Sequence, residues 1–332
     1  EAFEGDSSEV IVEEALDFAS RSARSQQPFF AVVWYGTPHS PFVASDDDMQ
    51  ALVDAGKDED EKAKLQQIVD GMDEHSRNHY GELVAMDRSL GTLREGLERL
   101  RVLDNTLIWF CSDNGGLSGI EPSTTAPLRG HKSQLYEGGL RVPCVLHWPN
   151  QIQAGRISRV PACATDIAPT LVDLLDLPDD SLIKPVDGIS LLPLIQGVGE
   201  AVVSLREKPI GFRFRGKSAV VDNRWKLIRE TRKQKGKSVT SEQLYQLDED
   251  VSESKDVTGD YPEIASRLSE WLAEWNDSVD DSVSGLDYPE GRVNPDHAEP
   301  KFWADDSRYE VFLDEWRERP EYQSFLKTRL GK

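Results

Sequence analysis

Three short stretches of this chain hold side chains whose types could do chemistry together. Residues 112–116 read SDNGG and follow directly on the apolar run 105–111, NTLIWFC. The carboxylate of Asp113 beside the amide oxygen of Asn114 suits a hard cation, Ca2+ or Mg2+, and not a transition metal. Asp, Asn and Gly are also what turns are made of, and two side chains are too few for a cation that takes roughly six to eight oxygens. On spacing alone both readings stand, and the turn is the plainer one. Gly115 and Gly116 would free the backbone to swing both side chains toward one point. His39 lies in GTPHSPF (36–42), pinned between two prolines. There it could donate to a substrate oxygen or shuttle a proton, against the plain reading of an exposed loop histidine. Lys132 sits in the glycine-punctuated LRGHKSQLYEGGLRVP (128–143). It could present a point charge to a tetrahedral oxyanion, against the plain reading of a surface lysine. A cation site, a hydrogen-bond donor and an anion-binding lysine together suit hydrolysis of an anionic ester. The set lacks a nucleophile, because no Ser, Thr or Cys has a recognisable activating context.

These residues need elements to hold them. Residues 8–24 carry Val10, Ile11, Ala15, Leu16 and Ala19 at helical spacing. PFFAVVWYG (28–36) reads as a buried strand, and NTLIWFC and VPCVLHWP (142–149) as two more. The acidic stretch 46–79 reads as exposed helix. Residues 81–101 read as the clearest helix, with Leu83, Met86, Leu90, Leu93, Leu97 and Leu100 stepping by three and four. TDIAPTLVDLLDL (165–177) reads as a helix capped by Thr165 or Asp166. This rhythm predicts an α/β fold with a mostly parallel sheet and helices on both faces, where function gathers at the carboxyl ends of strands. Beyond about residue 197 the pattern becomes antiparallel, with the basic stretch 224–237 as a solvated turn and an amphipathic helix over 262–275.

The 332 residues carry a net charge of −22, which argues against nucleic acid as a partner. No apolar run approaches the roughly 18 residues of a membrane helix. No signal peptide is visible, and the chain opens without Met, as a mature or truncated product would. Cys111, Cys144 and Cys163 are too few for a disulfide framework and lie among apolar residues, so buried thiols are expected.

Five stretches in order, FFAVVWYGTPHSPF, HYGELVAMDRSLGTLREGLERLRVLDNTLIWFCSDNGG, LRGHKSQLYEGGLRVPCVLHWP, ATDIAPTLVDLLDL and VDGISLLPLIQG, resemble the formylglycine-dependent sulfatases of the alkaline-phosphatase-like superfamily. The match is dense from about 28 to 197, continues weakly through RWKLI and LYQLDEDVSESKDV, and fades after about 277. The resemblance implies that Asp113 and Asn114 are two ligands of one Ca2+. It implies that His39 binds the sulfate ester near its leaving oxygen and that Lys132 contacts sulfate and the bridging oxygen. It assigns no fixed role to His131. The family also has a strand ending in paired aspartates and a C-x-P-S-R-type segment whose Cys or Ser becomes formylglycine, the nucleophile and a further metal ligand. None of the three cysteines here stands in such a segment. The expectation is therefore the C-terminal portion of a sulfatase, active only when an N-terminal segment completes its site. The mechanism would be attack of formylglycine hydrate on sulfur, with sulfate then released by elimination.

On this reading residues 1–197 are the C-terminal part of the catalytic α/β domain, 198–276 a small antiparallel subdomain with a packed helix, and 277–332 an acidic tail with spaced aromatics. The implied substrate is a sulfated sugar or other small sulfate ester, met by loops 117–127 and 212–217, with Arg213 and Arg215 as candidate contacts against ordinary surface arginines. The implied location is the periplasm or outside the cell. A phosphoesterase of the same superfamily and a non-catalytic truncated chain are the alternatives. The chain alone is expected to fold poorly, with an unpaired sheet edge and an uncovered apolar face.

Overall fold

The computed structural model describes residues 5–178, 180–197, 205–234, 237–287 and 307–318. The chain divides into two compact units, Glu1–Val279 and Asp280–Lys332. In the second, the described residues comprise the end of helix α8 (Pro262–Val283), a 3-10 turn Ser307–Phe312 and the short helix α9 (Leu313–Arg317). Most of the tail expected at 277–332 lies outside the described residues.

The first unit opens with α1 (Ser7–Arg24), α2 (Asp46–Asp54), α3 (Glu59–Gly71) and α4 (Glu74–Arg99). Asp6, Ser45, Asp58 and Asp73 each accept a backbone N–H of the first turn, so the acidic character of this region is partly capping chemistry. Helix α4 is the frame of the group. Gly96 lets Leu16 of α1 lie on its backbone, since a Cβ there would stand 2.4 Å from that side chain. Gly81 does the same for Ala44 ahead of α2, at 2.3 Å. Arg88 pairs with Glu9 of α1 at 2.6 Å and Asp48 of α2 at 2.8 Å. The buried face of α4 is not the leucine stripe expected for it. Leu97 is buried, but the remainder is Ser76, His79, Gly81, Glu82, Ala85, Ser89 and Gly96, while Leu83, Met86 and Leu90 are only half-buried. The polar face is covered because loops hydrogen-bond to it, as described below.

Residues 28–36 depart most from expectation. No strand ladder forms there among the described residues, because a strand exists only by pairing and no described segment lies alongside to pair with it. The chain still alternates as a strand would. Phe29 packs with α1 and α4, and Ser89 of α4 reaches the Tyr35 hydroxyl at 3.3 Å. Phe30, Val32 and Trp34 face outward, 66, 60 and 83% exposed. The two other expected strands are present as β1 (Ile108–Cys111) and β2 (Cys144–His147), but they pair with each other and antiparallel. The parallel pairing inferred from the strand–helix rhythm is thus not seen among the described residues. The register puts Cys111 opposite Cys144, and all three cysteines are free thiols, with Cys144 exposed rather than buried.

The 3-10 turn Ala164–Asp166 leads into α6 (Ile167–Leu174), which follows the short α5 (Glu137–Leu140) in chain order. Asp166 does not cap α6 with its side chain as expected. Its carboxylate instead accepts the N–H groups of Cys163 and Ile189, both at 2.8 Å, and holds the Arg206 guanidinium in a fork of two 2.8 Å bonds. Both side chains are essentially inaccessible. After α7 (Leu192–Gln196), strands β3 (Ile210–Phe214), β4 (Lys217–Asp222), β5 (Trp225–Gln234) and β6 (Lys237–Gln246) form an antiparallel meander. Arg215 and Gly216, both at positive φ, make the tight turn between β3 and β4. The basic stretch 224–237 is mostly strand β5 and not a solvated turn, and its Lys226 is fully buried. One face of the sheet, through Val220, Leu227 and Leu244, packs on Leu268 and Leu272 of α8. The other, through Ala219, Ile228 and Tyr245, packs on Leu135, Tyr136 and Leu140. Among the described residues no helix is long and apolar enough to cross a membrane.

Two outcomes follow from this packing. Asp166→Ala should cost about 3–5 kcal/mol in urea unfolding because it leaves Arg206 buried and unpaired, and adding Arg206→Met should recover most of that. A single-variant loss below about 1 kcal/mol would assign the pair a surface-like role. The exposed strip should bind the apolar dye ANS, and a Phe30→Ser/Val32→Ser/Trp34→Ser variant should lose most of that signal.

Candidate active site

Asp113 and Asn114 leave the end of β1, and Lys132 lies in the loop before α5. Backbone hydrogen bonds lock these two segments together. Ser112 N–H donates to Pro143 at 3.3 Å, Gly115 N–H to Gly139 at 3.0 Å, and Lys132 N–H to Gly116 at 2.7 Å. The glycines permit this for a reason other than the expected freedom of φ, since neither Gly115 nor Gly116 has a positive φ. What they lack is bulk. A Cβ on Gly115 would stand 2.0 Å from the Gly138 carbonyl oxygen, and one on Gly116 would stand 2.3 Å from Thr124 Oγ1. The opposing loop is compressed in the same way, because a Cβ on Gly138 would meet the Gly130 carbonyl oxygen at 2.2 Å and one on Gly139 the Gln134 oxygen at 2.1 Å. Ser133, directly after Lys132, sits at φ +75°, a conformation L-residues seldom adopt. The chain thus coils tightly around the position of Lys132.

The candidate side chains of this pair of loops are left unengaged. Asp113 is exposed, and Asn114 and Lys132 are half-buried. Among the described residues, no hydrogen bond or ion pair holds the Asp113 carboxylate, the Asn114 amide or the Lys132 ammonium; Ser112 binds only the main-chain oxygen of Asn114, at 2.8 Å. Two free oxygen donors fit a hard cation in kind but supply only part of its shell. No group of three or more His, Cys, Asp and Glu capable of holding a metal occurs among the described residues. His131 turns inward, with Nδ1 2.9 Å from the Lys132 carbonyl oxygen and Nε2 3.1 Å from Gln134.

His39 lies on a loop with its own anchors. Its N–H donates to Gly36 at 2.9 Å, and Nδ1 lies 2.9 Å from the Ser40 carbonyl oxygen. A carbonyl only accepts, so Nδ1 carries a proton and Nε2 is the nitrogen left for other work. The loop is seated on α4, where Phe42 packs between His75 and His79 with ring centroids at 4.9 and 5.0 Å. Val43 N–H donates to Glu82 at 2.8 Å. Burial pushes the Glu82 carboxyl up and the His79 imidazole down. The loop after Asn114 reaches the same helix, with Glu121 N–H donating to Ser76 Oγ at 3.0 Å and Tyr80 donating to the Pro122 carbonyl at 2.6 Å. No hydrogen bond joins the His39 loop directly to the other two among the described residues.

Sequence reasoning missed the buried charges at the start of α5. Lys226 of β5 lies 3.0 Å from Glu137 Oε1 and 2.9 Å from Glu253 Oε1, and Glu137 N–H donates to Glu253 Oε2 at 2.6 Å. Arg141, the residue that follows α5, pairs back onto Glu137 at 2.6 Å. Burial alone would raise the Glu137 carboxyl, yet Lys226 and Arg141 together hold it below the usual range. Burial dominates at Glu253 and pushes it up. A lysine in a basic stretch gives no sign in sequence that it is buried; the only available clue was its place on the inward side of an alternating strand. Arg213 and Arg215, candidate sugar contacts, are exposed, and the Arg215 guanidinium lies 5.0 Å from the Phe214 ring centre.

Replacing Gly115 by Ala should destabilise the chain by more than about 2 kcal/mol through overpacking. Gly91→Ala, on the exposed side of α4 with nothing within 4 Å of the new methyl, should instead stabilise it by up to about 1 kcal/mol. Thermal melts of the two variants decide this, and a Gly115→Ala chain as stable as the parent would mean that the loops do not interlock.

Comparison with known proteins places these features in context. A family model described as "Sulfatase" matches residues 2–177, and one described as "N-sulphoglucosamine sulphohydrolase, C-terminal" matches 131–278. N-acetylgalactosamine-6-sulfatase of Canis lupus familiaris is 31% identical over 219 residues, 64% of this chain and 36% of that protein. Steryl-sulfatase of Homo sapiens is 38% identical over 128 residues, 36% of this chain and 21% of its own. Among solved structures, Ps i-CgsB in complex with k-i-k-neocarrahexaose superimposes with a TM-score of 0.66 at 28% identity, over 81% of this chain and 54% of that one. The chain thus spans about a third of the first relative's length and about half of the solved one.

Proposed function

The chain belongs to the sulfatase family, and from that premise we propose that it carries part of the active site of a sulfuric ester hydrolase acting on a sulfated sugar. Its architecture is a part of the alkaline-phosphatase-like α/β sandwich with a small C-terminal antiparallel sheet and a packed helix. The observation that carries the reading is the locking of the Asp113–Asn114 turn to the Lys132 loop with all three side chains unengaged. The sugar is supported by the oligosaccharide held by the relative of known structure.

Asp113 and Asn114 are the residues here that would hold Ca2+, which when bound would neutralise charge on the sulfate oxygens. The Lys132 ammonium binds those same oxygens as a fixed point charge. His39, with Nδ1 tied to Ser40, presents Nε2. In the charged ring that nitrogen donates its proton to the sugar oxygen as the S–O bond breaks, so the alcohol leaves neutral. The formylglycine nucleophile and the remaining calcium ligands belong, on this proposal, to a segment that completes the protein. Two features support this: the outward strip Phe30–Val32–Trp34, and the share of the relatives' length that the chain spans. The family premise also supports a periplasmic or secreted setting.

The test is to assay the chain alone and joined to a family-type N-terminal segment on sulfate and phosphate esters, with and without a calcium chelator. The completed protein should cleave sulfated sugars in a calcium-dependent way and the chain alone should not. In the completed protein His39→Ala and Lys132→Ala should each lower kcat by about 10²–10³-fold. Phosphate esters cleaved in preference would favour a phosphoesterase, and no turnover of either would leave a binding role.

A further inference from the structure

We infer that Lys226, a buried residue of the C-terminal sheet, is a positioning residue for the Lys132 loop and the Asp113–Asn114 turn. The inference rests on the sulfatase reading for its functional meaning but not for its geometry. The path is continuous. Lys226 Nζ holds Glu137 Oε1 at 3.0 Å, and Glu253 fixes the Glu137 N–H from the other side at 2.6 Å. Glu137 opens α5, whose next two residues are Gly138 and Gly139. Gly139 accepts from Gly115, while Gly138 donates to Arg129 at 2.7 Å and so closes the Lys132 loop on itself. Arg129 in turn lies over the Tyr136 ring at 4.0 Å and donates to the Glu253 carbonyl at 2.9 Å. The glycine contacts have no slack, so a shift of α5 passes to Gly115 and Lys132 instead of being absorbed.

A buried ammonium facing two carboxylates is poor value as a source of stability, because desolvation offsets the attraction. Apolar packing against Leu135 and Tyr245 already joins loop to sheet. What an apolar side chain cannot do is fix the direction of the Glu137 side chain, and hence the rotation of α5. That directional role is what the charge cluster adds.

The experiment compares Lys226→Met, Lys226→Met/Glu253→Gln and a core control, Leu272→Ala, in the 332-residue chain. It reads thermal stability and amide hydrogen exchange in peptides covering 112–117 and 129–139. Lys226→Met should speed exchange there by about tenfold relative to the control at matched distance below each melting point. The double variant removes the stranded Glu253 charge, so it should regain stability while exchange at 112–117 stays fast. Lys226→Arg should restore slow exchange. Stability and exchange recovering together in the double variant would reduce Lys226 to a structural residue, and unchanged exchange in Lys226→Met would overturn the inference. In the completed protein the same change should lower kcat by about tenfold with KM little altered. A wild-type protein without sulfatase activity would defeat the functional reading while leaving the exchange result standing.

Discussion

The structure turns on a place where two backbones touch with no room for a side chain between them. Gly115 rests on Gly138 and Gly139 so closely that one added carbon would stand 2.0 Å from a carbonyl oxygen, far inside van der Waals contact. Such a contact does two things at once. It lets the turn after β1 and the loop before α5 exchange main-chain hydrogen bonds, which fixes their spacing. It also frees Asp113, Asn114 and Lys132 from holding the loops together, so their polar ends remain available. A site that kept its loops in place with side-chain salt bridges would have to spend those same groups.

The neighbouring sheet is joined to this arrangement by charge as well as by apolar packing. Two buried ionic sites lie where the helical part meets the antiparallel meander, Asp166 with Arg206 and Lys226 with Glu137 and Glu253. Each links a loop or turn of the former to the meander or to the segment leading into it. Apolar contacts tolerate sliding, whereas a two-bond fork from Arg206 to one carboxylate is directional. The same logic explains the opposite shifts of the two glutamates around Lys226. Glu137 has a second cation in Arg141 and is held low, while Glu253 shares Lys226 with it and is pushed up by burial.

Much of this was legible in the sequence, and the failures have physical causes. The helix at 8–24, the antiparallel C-terminal strands and the amphipathic helix after Pro262 follow from local periodicity, which each segment carries within itself. Strand 28–36 did not form because a strand depends on a partner that local pattern cannot supply. The buried face of α4 was misread because a leucine stripe is the usual sign of burial, whereas Ser76, His79 and Glu82 are covered by loops that they themselves hydrogen-bond or pack against. The candidate residues Asp113, Asn114, Lys132 and His39 were visible as chemical types in glycine- and proline-marked loops. The reason for the paired glycines was not, because a close approach between segments distant in sequence leaves no periodic trace.

The polar face of α4 bears on how the separate parts of the site keep their distance. His39 and Lys132 lie on loops without a direct hydrogen bond between them among the described residues, so a common support must set their relation. Helix α4 provides it. Glu82 and the His75–His79 pair seat the His39 loop, and Ser76 and Tyr80 seat the loop that runs on from Asn114. Ser76 is at the centre of this arrangement, since its N–H is capped by Asp73 while its hydroxyl oxygen accepts from Glu121. Beside it Ile120 is buried, which fixes the loop in depth. A polar helix face is better suited to this task than an apolar one. Hydrogen bonds to a rigid helix specify position along and around its axis, which the burial of Ile120 and the packing of Phe42 do not do by themselves.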